Sequence, residues 1–213
     1  MALLPAKAPG EESAKAELRR HFRRLRRQSL PAAAAGLLAV ARRELPPRLS
    51  PGARTPPGRL GLWWPIGAEP DLRPLAATID ARIPGRLALP AVLPGPAPNP
   101  ALQLFYLPWQ PGDPLAPDAC GIPAPHGTLP PLPAAAFALL LVPALAIDGA
   151  GIRLGSGGGW YDRLRCRAGW RDVPALAVLP AACVHPQPLP RDPWDVPFDG
   201  WIDERGLHFI ASS

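Results

Sequence analysis

Between Arg153 and Arg163 the chain reads RLGSGGGWYDR, which gathers an arginine, a glycine-rich loop, two aromatics and an aspartate into one short stretch. Glycine permits positive φ and lets a ligand come close to backbone amides. Such amides, followed by the start of a helix, form a receptor for phosphate oxygens. Arg153 adds a planar fork that holds a phosphate through two hydrogen bonds. Asp162 supplies a hard oxygen of the kind magnesium takes while keeping several of its waters. On composition alone a flexible surface loop before a helix is an equal alternative. The stretch is not a Walker A loop, because no Gly-Lys-Ser/Thr follows, and it lacks the downstream acidic partner of a dinucleotide fingerprint.

The elements around this loop have to position it. Phe137 to Val142 is an apolar run of strand length, Pro143 breaks it, and Asp148-Gly149 reads as a tight turn. A helix is expected from Trp160 to about Arg167. At the other end of the sequence, residues 11–28 read as a helix with Ser13 near its cap. Ala14, Leu18, Phe22 and Leu25 form its apolar stripe, and Lys15 and Arg19 share a face. Charge pattern alone favours a solvated arginine-rich face there over a site. A second helix is expected from about Pro31 to Glu44, weakened by Gly36 and ended by Pro46 and Pro47, with a proline-rich loop over 46–58. Strands are expected at 59–64, 87–92, 103–107, 175–179 and 206–210, and a helix from Asp71 to Arg82. Residues 108–133 are expected to be an irregular excursion. Strands alternating with helices predict a three-layer α/β fold, a mainly parallel central sheet flanked by helices, with a helical N-terminus. Glu69 then falls where a strand hands over to a helix, the edge at which such sheets place ligands.

The whole chain sets bounds on these readings. Its 213 residues, 47% of them hydrophobic, suit one domain over 1–213 with a sizeable core, residues 1–10 being expected as a disordered tail. The 34 prolines crowd into loops and leave several apolar runs clear. Cys120, Cys166 and Cys183 show no CxxC spacing, which argues against a disulfide framework or a zinc site. No signal peptide or membrane-length run is visible, so a soluble, cytoplasmic protein is expected. The net charge of +6 fits nucleic acid, a membrane surface or a polyanionic small molecule without choosing among them.

The order of residues says more than their composition. Val142-Pro143, Asp148-Gly149 and Arg153 to Arg163 together resemble the signature of the 5-formyltetrahydrofolate cyclo-ligases (methenyltetrahydrofolate synthetases), with Trp160 in place of a tyrosine and Ile147 in place of a phenylalanine. Lys15 to Arg19, Gly121 to Pro125 and Asp192 to Ile202 are similar to further family elements. The resemblance implies ATP-dependent cyclisation of 5-formyltetrahydrofolate to 5,10-methenyltetrahydrofolate, with release of ADP and phosphate. It implies that Lys15, Arg19, Arg153, Leu154, Gly155, Ser156, Gly157, Gly158, Gly159, Trp160 and Tyr161 bind ATP, Arg153 also being catalytic. Trp64, Glu69, Trp160 and Tyr161 are implied for the folate, and Asp162 and Asp195 for Mg²⁺. The partners are then small molecules, neither membrane nor nucleic acid, and the chain a monomer. Two departures stand out: Ala124 replaces a frequent glutamate, and no glutamine follows the 175–179 strand. They motivate an alternative, a diverged relative that binds ATP without the folate chemistry. The tract from Arg19 to Arg27 motivates another, a basic nucleic-acid-binding module.

Overall fold

The computed structural model describes residues 9–49, 58–96, 98 and 100–210. Its first element corrects the sequence reading. One helix, α1 (Pro9–Leu49), runs for 41 residues where two were expected, with Pro31, Pro46 and Pro47 inside it. Pro31 lacks the N–H that would bond to the carbonyl of Arg27, a loss of about 3 kcal/mol or more. Packing on both sides outweighs it. Phe22 is buried against one face of the sheet, and Leu37, Val40 and Leu45 against the other, each large side chain contributing roughly 1.5–3 kcal/mol. Pro9 and Gly10 are helical too, so the expected tail of 1–10 does not hold for them; residues 1–8, and 50–57 of the expected loop, lie outside the described residues.

Four elements follow: β1 (Arg59–Gly61), α2 (Arg73–Arg82), β2 (Leu87–Pro94) and β3 (Leu102–Pro108). β1 is shorter than the expected 59–64, since the chain leaves the ladder after Gly61 and Leu62 to Trp64 lead into the loop bearing Glu69. α2 starts after Asp71, whose carboxylate accepts the Arg73 N–H at 2.9 Å. The expected irregular excursion contains only the short ribbon of β4 (Ala116–Pro117) and β5 (Pro123–Ala124). Then come β6 (Phe137–Pro143), β7 (Ala146–Asp148), β8 (Arg153–Leu154) and α3 (Trp160–Arg165), the last ending short of Arg167. β9 (Ala175–Val178), β10 (Val184–His185), β11 (Gly200–Ile202) and β12 (Leu207–Phe209) complete the order.

The main sheet runs β12-β11-β9-β6-β1-β2-β3. β11, β9, β6, β1 and β2 are mutually parallel, and β12 and β3 close the two edges antiparallel. The α/β expectation with a mainly parallel sheet therefore holds. β6 is buried on both faces, Leu140 and Val142 in one cluster and Leu139 and Leu141 in the other, as its unbroken apolar run requires. Leu164 of α3 packs on the first face, Leu75 and Ile79 of α2 on the second.

α1 serves both faces because its first half crosses the edge where the parallel strands end. There Arg26 donates to the carbonyl of Ala144, just past β6, at 3.1 Å. Gly36 lets the second half settle on the β11–β12 turn, since a Cβ at that position would lie 2.8 Å from Cβ of Glu204. The sheet edge crossed by α1 also receives the Glu69 loop and the small β10-β7-β8 sheet that carries Arg153. Among the described residues no helix is long and apolar enough to cross a membrane.

Candidate active site

Arg153 sits at the junction of two cavities. Its side chain is 6% exposed, and its guanidinium is held from two sides. Nη1 donates to the Pro143 carbonyl at 3.1 Å and Nη2 to Asp162 Oδ1 at 2.9 Å. The rings of Tyr161 and Phe198 lie 5.5 and 5.6 Å from it, within reach of cation–π attraction. Among the described residues its buried Nε–H has no acceptor.

The first cavity, of about 130 Å³, is largely apolar. Trp64, Pro90, Val92, Leu104, Trp160 and Tyr161 contribute to its walls, and Glu69 and Asp118 are its two carboxylates. Asp118 is fully engaged: it accepts the amides of Val92, Cys120 and Ile122 at 2.8, 2.8 and 3.0 Å, which folds the 118–122 turn against β2. Glu69 is only half engaged, accepting the Ile66 N–H on Oε2 at 3.1 Å. Burial pushes the Glu69 carboxyl above the ordinary range, while the Ile66 amide and the charges of Arg26 and Arg153 pull it back. Burial, reinforced by the Glu69 charge, raises the Tyr161 phenol and keeps it protonated. A protonated phenol donates where Glu69, once ionised, accepts.

The second cavity, of about 190 Å³, is polar and lined by Lys15, Arg19, Arg153, Arg163, Asp162, Asp192 and Asp195 among others. Lys15 and Arg19 arrive from α1, whose helical repeat puts them on one face as expected. Arg19 donates to the Gly155 carbonyl at 3.3 Å. Lys15 is buried and pairs with Asp192 at 2.7 Å, with Asp195 at 3.5 Å. Removing one partner of such a buried pair costs about 3–5 kcal/mol, because the other charge is stranded. The glycine loop is the partition between the cavities. Leu154 and Gly157 line the polar side, Ser156 and Gly158 the apolar side, and Gly155 and Gly159 both. Gly157 and Gly159 stand at φ 109° and 65°, which side-chain-bearing residues rarely adopt.

The arrangement thus brings every expected site residue to one double cavity, with Trp160 and Tyr161 on the apolar side only. α3 has six residues, so anion binding here rests on side chains and loop amides more than on a helix dipole. Among the described residues no group of three or more histidine, cysteine or acidic side chains forms a metal cluster. Asp162 and Asp195 line the polar cavity as hard oxygen donors. That donor set fits magnesium, which binds through one or two carboxylates, waters and substrate phosphates. Asp195 Oδ2 also accepts the Asp192 N–H at 2.8 Å, which fixes its direction.

Sequence reasoning missed several groups. Arg23 donates to the Ser156 carbonyl at 2.6 Å, and Arg163 to that of Gly158 at 2.9 Å while lying 4.5 Å from the Trp160 ring centre. A signal for Arg23 existed, since Lys15, Arg19, Arg23 and Arg26 fall at helical spacing on one stripe. Asp192 carried none. Neither of the two departures noted above lines either cavity. Ala124 is buried with Ala91 and Leu107, and Ala181 and Cys183 are buried in a short 3₁₀ turn. Cys166 is exposed and donates to the Trp194 carbonyl at 3.3 Å.

Known proteins resemble this chain in sequence and in fold. The sequence model of the 5-formyltetrahydrofolate cyclo-ligase family matches residues 11–203. A 5-formyltetrahydrofolate cyclo-ligase from Haemophilus influenzae is 34% identical over 96 residues, a match covering 44% of this chain and 50% of that protein. The aligned part therefore spans about half the length of the curated relative. The fold is similar to that of a 5,10-methenyltetrahydrofolate synthetase from Aquifex aeolicus, with TM-score 0.67 and 24% identity over 93% of this chain and 94% of the other. A 5,10-methenyltetrahydrofolate synthetase from Mycoplasma pneumoniae gives TM-score 0.65 and 16% identity over 89% and 98%.

Proposed function

The chain belongs to the 5-formyltetrahydrofolate cyclo-ligase family, and from that membership we propose that it converts 5-formyltetrahydrofolate to 5,10-methenyltetrahydrofolate at the expense of ATP. The observation that carries this reading is the double cavity. An apolar, aromatic chamber with one half-engaged carboxylate suits a pterin ring, whose paired N–H groups a carboxylate accepts. A cationic chamber suits a triphosphate. The two meet at Arg153, where the reacting atoms of both substrates have to meet.

The chemistry needs such a meeting point. A formamide oxygen is a poor leaving group. Transfer of the γ-phosphoryl group to it gives an iminium phosphate and ADP; N10 of the folate attacks the activated carbon, and phosphate departs. Phosphoryl transfer asks for in-line positioning and charge stabilisation more than for covalent help. Arg153, steered by Pro143 and Asp162, offers its fork where negative charge is shared between the transferred group and the formyl oxygen. Lys15 and Arg19 hold the remaining phosphates from α1, and the Gly155–Gly159 amides hold them from the loop. Asp162 and Asp195 would hold Mg²⁺, which neutralises phosphate charge when bound. Trp64 and Trp160 enclose the ring system and Glu69 orients it. The departing phosphate takes up the N10 proton, and no general base of the protein is assigned. Both substrates are soluble small molecules, consistent with action in the cytoplasm.

The test is the rise of the methenyl-folate absorbance band on mixing the protein with Mg·ATP and 5-formyltetrahydrofolate. A rise that requires ATP is the expected result. Nucleotide binding without such a rise would support instead a relative that has lost the folate chemistry.

A further inference from the structure

Asp192 was singled out neither by its residue type nor by its spacing, yet it makes a short polar contact in the cationic chamber. Its Oδ2 accepts from Lys15 Nζ at 2.7 Å, and both side chains are 8% exposed. Asp195 stands 3.5 Å from the same ammonium, but its Oδ2 also accepts the Asp192 N–H at 2.8 Å. The two acids are therefore not equivalent. Asp192 grips the lysine, and Asp195 is held by backbone with its carboxylate turned to the same chamber.

The segment that presents Asp192 is fixed from elsewhere. Leu189 N–H donates at 2.7 Å to Asp148, a buried carboxylate that also accepts the Ala150 and Ile152 amides and so builds the turn before Arg153. The position of Asp192 is thus tied to that of the glycine loop. A lysine has a flexible stem with four rotatable bonds and no directional fork. Left alone, Lys15 would have either to leave the chamber for water or to turn to Asp195 and Asp162, the two carboxylates needed elsewhere.

We propose that Asp192 is a positioning residue for nucleotide binding, which holds the Lys15 ammonium aimed into the polar chamber and takes the closer of its two carboxylate contacts. The proposal rests on the reading of that chamber as the triphosphate site. It acts through Lys15, so its signature is dependence on Lys15 and not the mere size of a defect. An aspartate beside an anionic ligand has a competing effect, repulsion, which removal of the charge would relieve. The contact distance favours the first effect: at 2.7 Å the carboxylate holds the lysine through a charge-assisted hydrogen bond.

The experiment is a double-mutant cycle on ADP binding, measured by calorimetry with Mg²⁺ present, over the natural protein, Asp192→Asn, Lys15→Met and the double variant. Asp192→Asn is expected to weaken ADP by roughly tenfold or more, with Asp192→Glu recovering part of it. In the Lys15→Met background Asp192→Asn is expected to cost little, since its effect on the nucleotide runs through Lys15. In turnover, the KM for ATP should rise more than kcat falls, with the KM for the folate unchanged. Equal losses in both backgrounds, or tighter ADP binding by Asp192→Asn alone, would overturn the proposal. So would a natural protein that binds no ADP. If ADP binding follows the cycle but no cyclisation occurs, Asp192 keeps its role and the folate reading is what fails.

Discussion

Arg153 is the residue on which the two chambers depend, because its guanidinium is shared between them and already oriented by a carbonyl and a carboxylate. Arg153→Ala should lower kcat/KM by about 10²–10³, in the range seen when one preorganised transition-state donor is removed. Arg153→Lys should recover little, since an ammonium cannot span Pro143, Asp162 and a phosphate together. Steady-state kinetics with each substrate varied checks both. Glu69 gives a pH dependence with a definite sign. Its carboxyl titrates above the ordinary range through burial, and only the ionised form accepts two pterin N–H groups. The KM for the folate is therefore expected to rise as pH falls through that elevated value. The rise should begin at a higher pH than for an unburied glutamate. Glu69→Gln should have a raised KM at neutral pH and lose this acid limb. A limb that persists unchanged in the variant would assign the titration to another group.

At the scale of elements, α1 holds the instructive disagreement. Pro31, Pro46 and Pro47 read as helix ends, yet the helix runs through all of them. Pro31 is exposed and removes one backbone hydrogen bond. Pro31→Ala restores that donor and should stabilise the fold by roughly 1–3 kcal/mol, seen as a higher midpoint of thermal or urea unfolding. A lower midpoint would mean that the proline shapes the path of α1 across the sheet edge. What was legible in sequence follows the same division between local and distant causes. The β6 run, the glycine loop and the placement of Lys15 with Arg19 on one face all rest on local pattern, and each is found. The continuity of α1 is decided by Phe22 and Leu37 meeting opposite faces of a sheet that forms much later in the sequence. Asp192 likewise takes its place in the chamber through a partner 177 positions away. The family signature supplied roles for Trp64 and Glu69 that their own neighbourhood in the sequence left open.

Across the whole molecule, the net charge of +6 finds a local expression in the polar chamber. Lys15, Arg19, Arg153 and Arg163 outnumber the three aspartates that line it, and Arg23 donates to its glycine-loop wall. An excess of cations in a cleft raises the local concentration of a polyanion and its rate of capture. The KM for ATP should accordingly rise several-fold as salt goes from about 0.01 to 0.1 M, over which the Debye length falls from about 30 to 10 Å. The KM for the folate should change less, because its chamber is apolar. Equal salt dependence of the two constants would place charge steering outside this chamber.

The pairing of Lys15 with Asp192 also sets an order of events in time. A chain made from its N-terminus exposes the lysine and its neighbouring arginines early, with nothing yet for them to meet. The strands that give α1 a surface to cross come next, and the carboxylate that fixes the lysine comes after nearly all of them. Contacts between such distant positions form slowly. The polar chamber is thus complete only once Lys15, near one end of the described chain, has met Asp192, near the other.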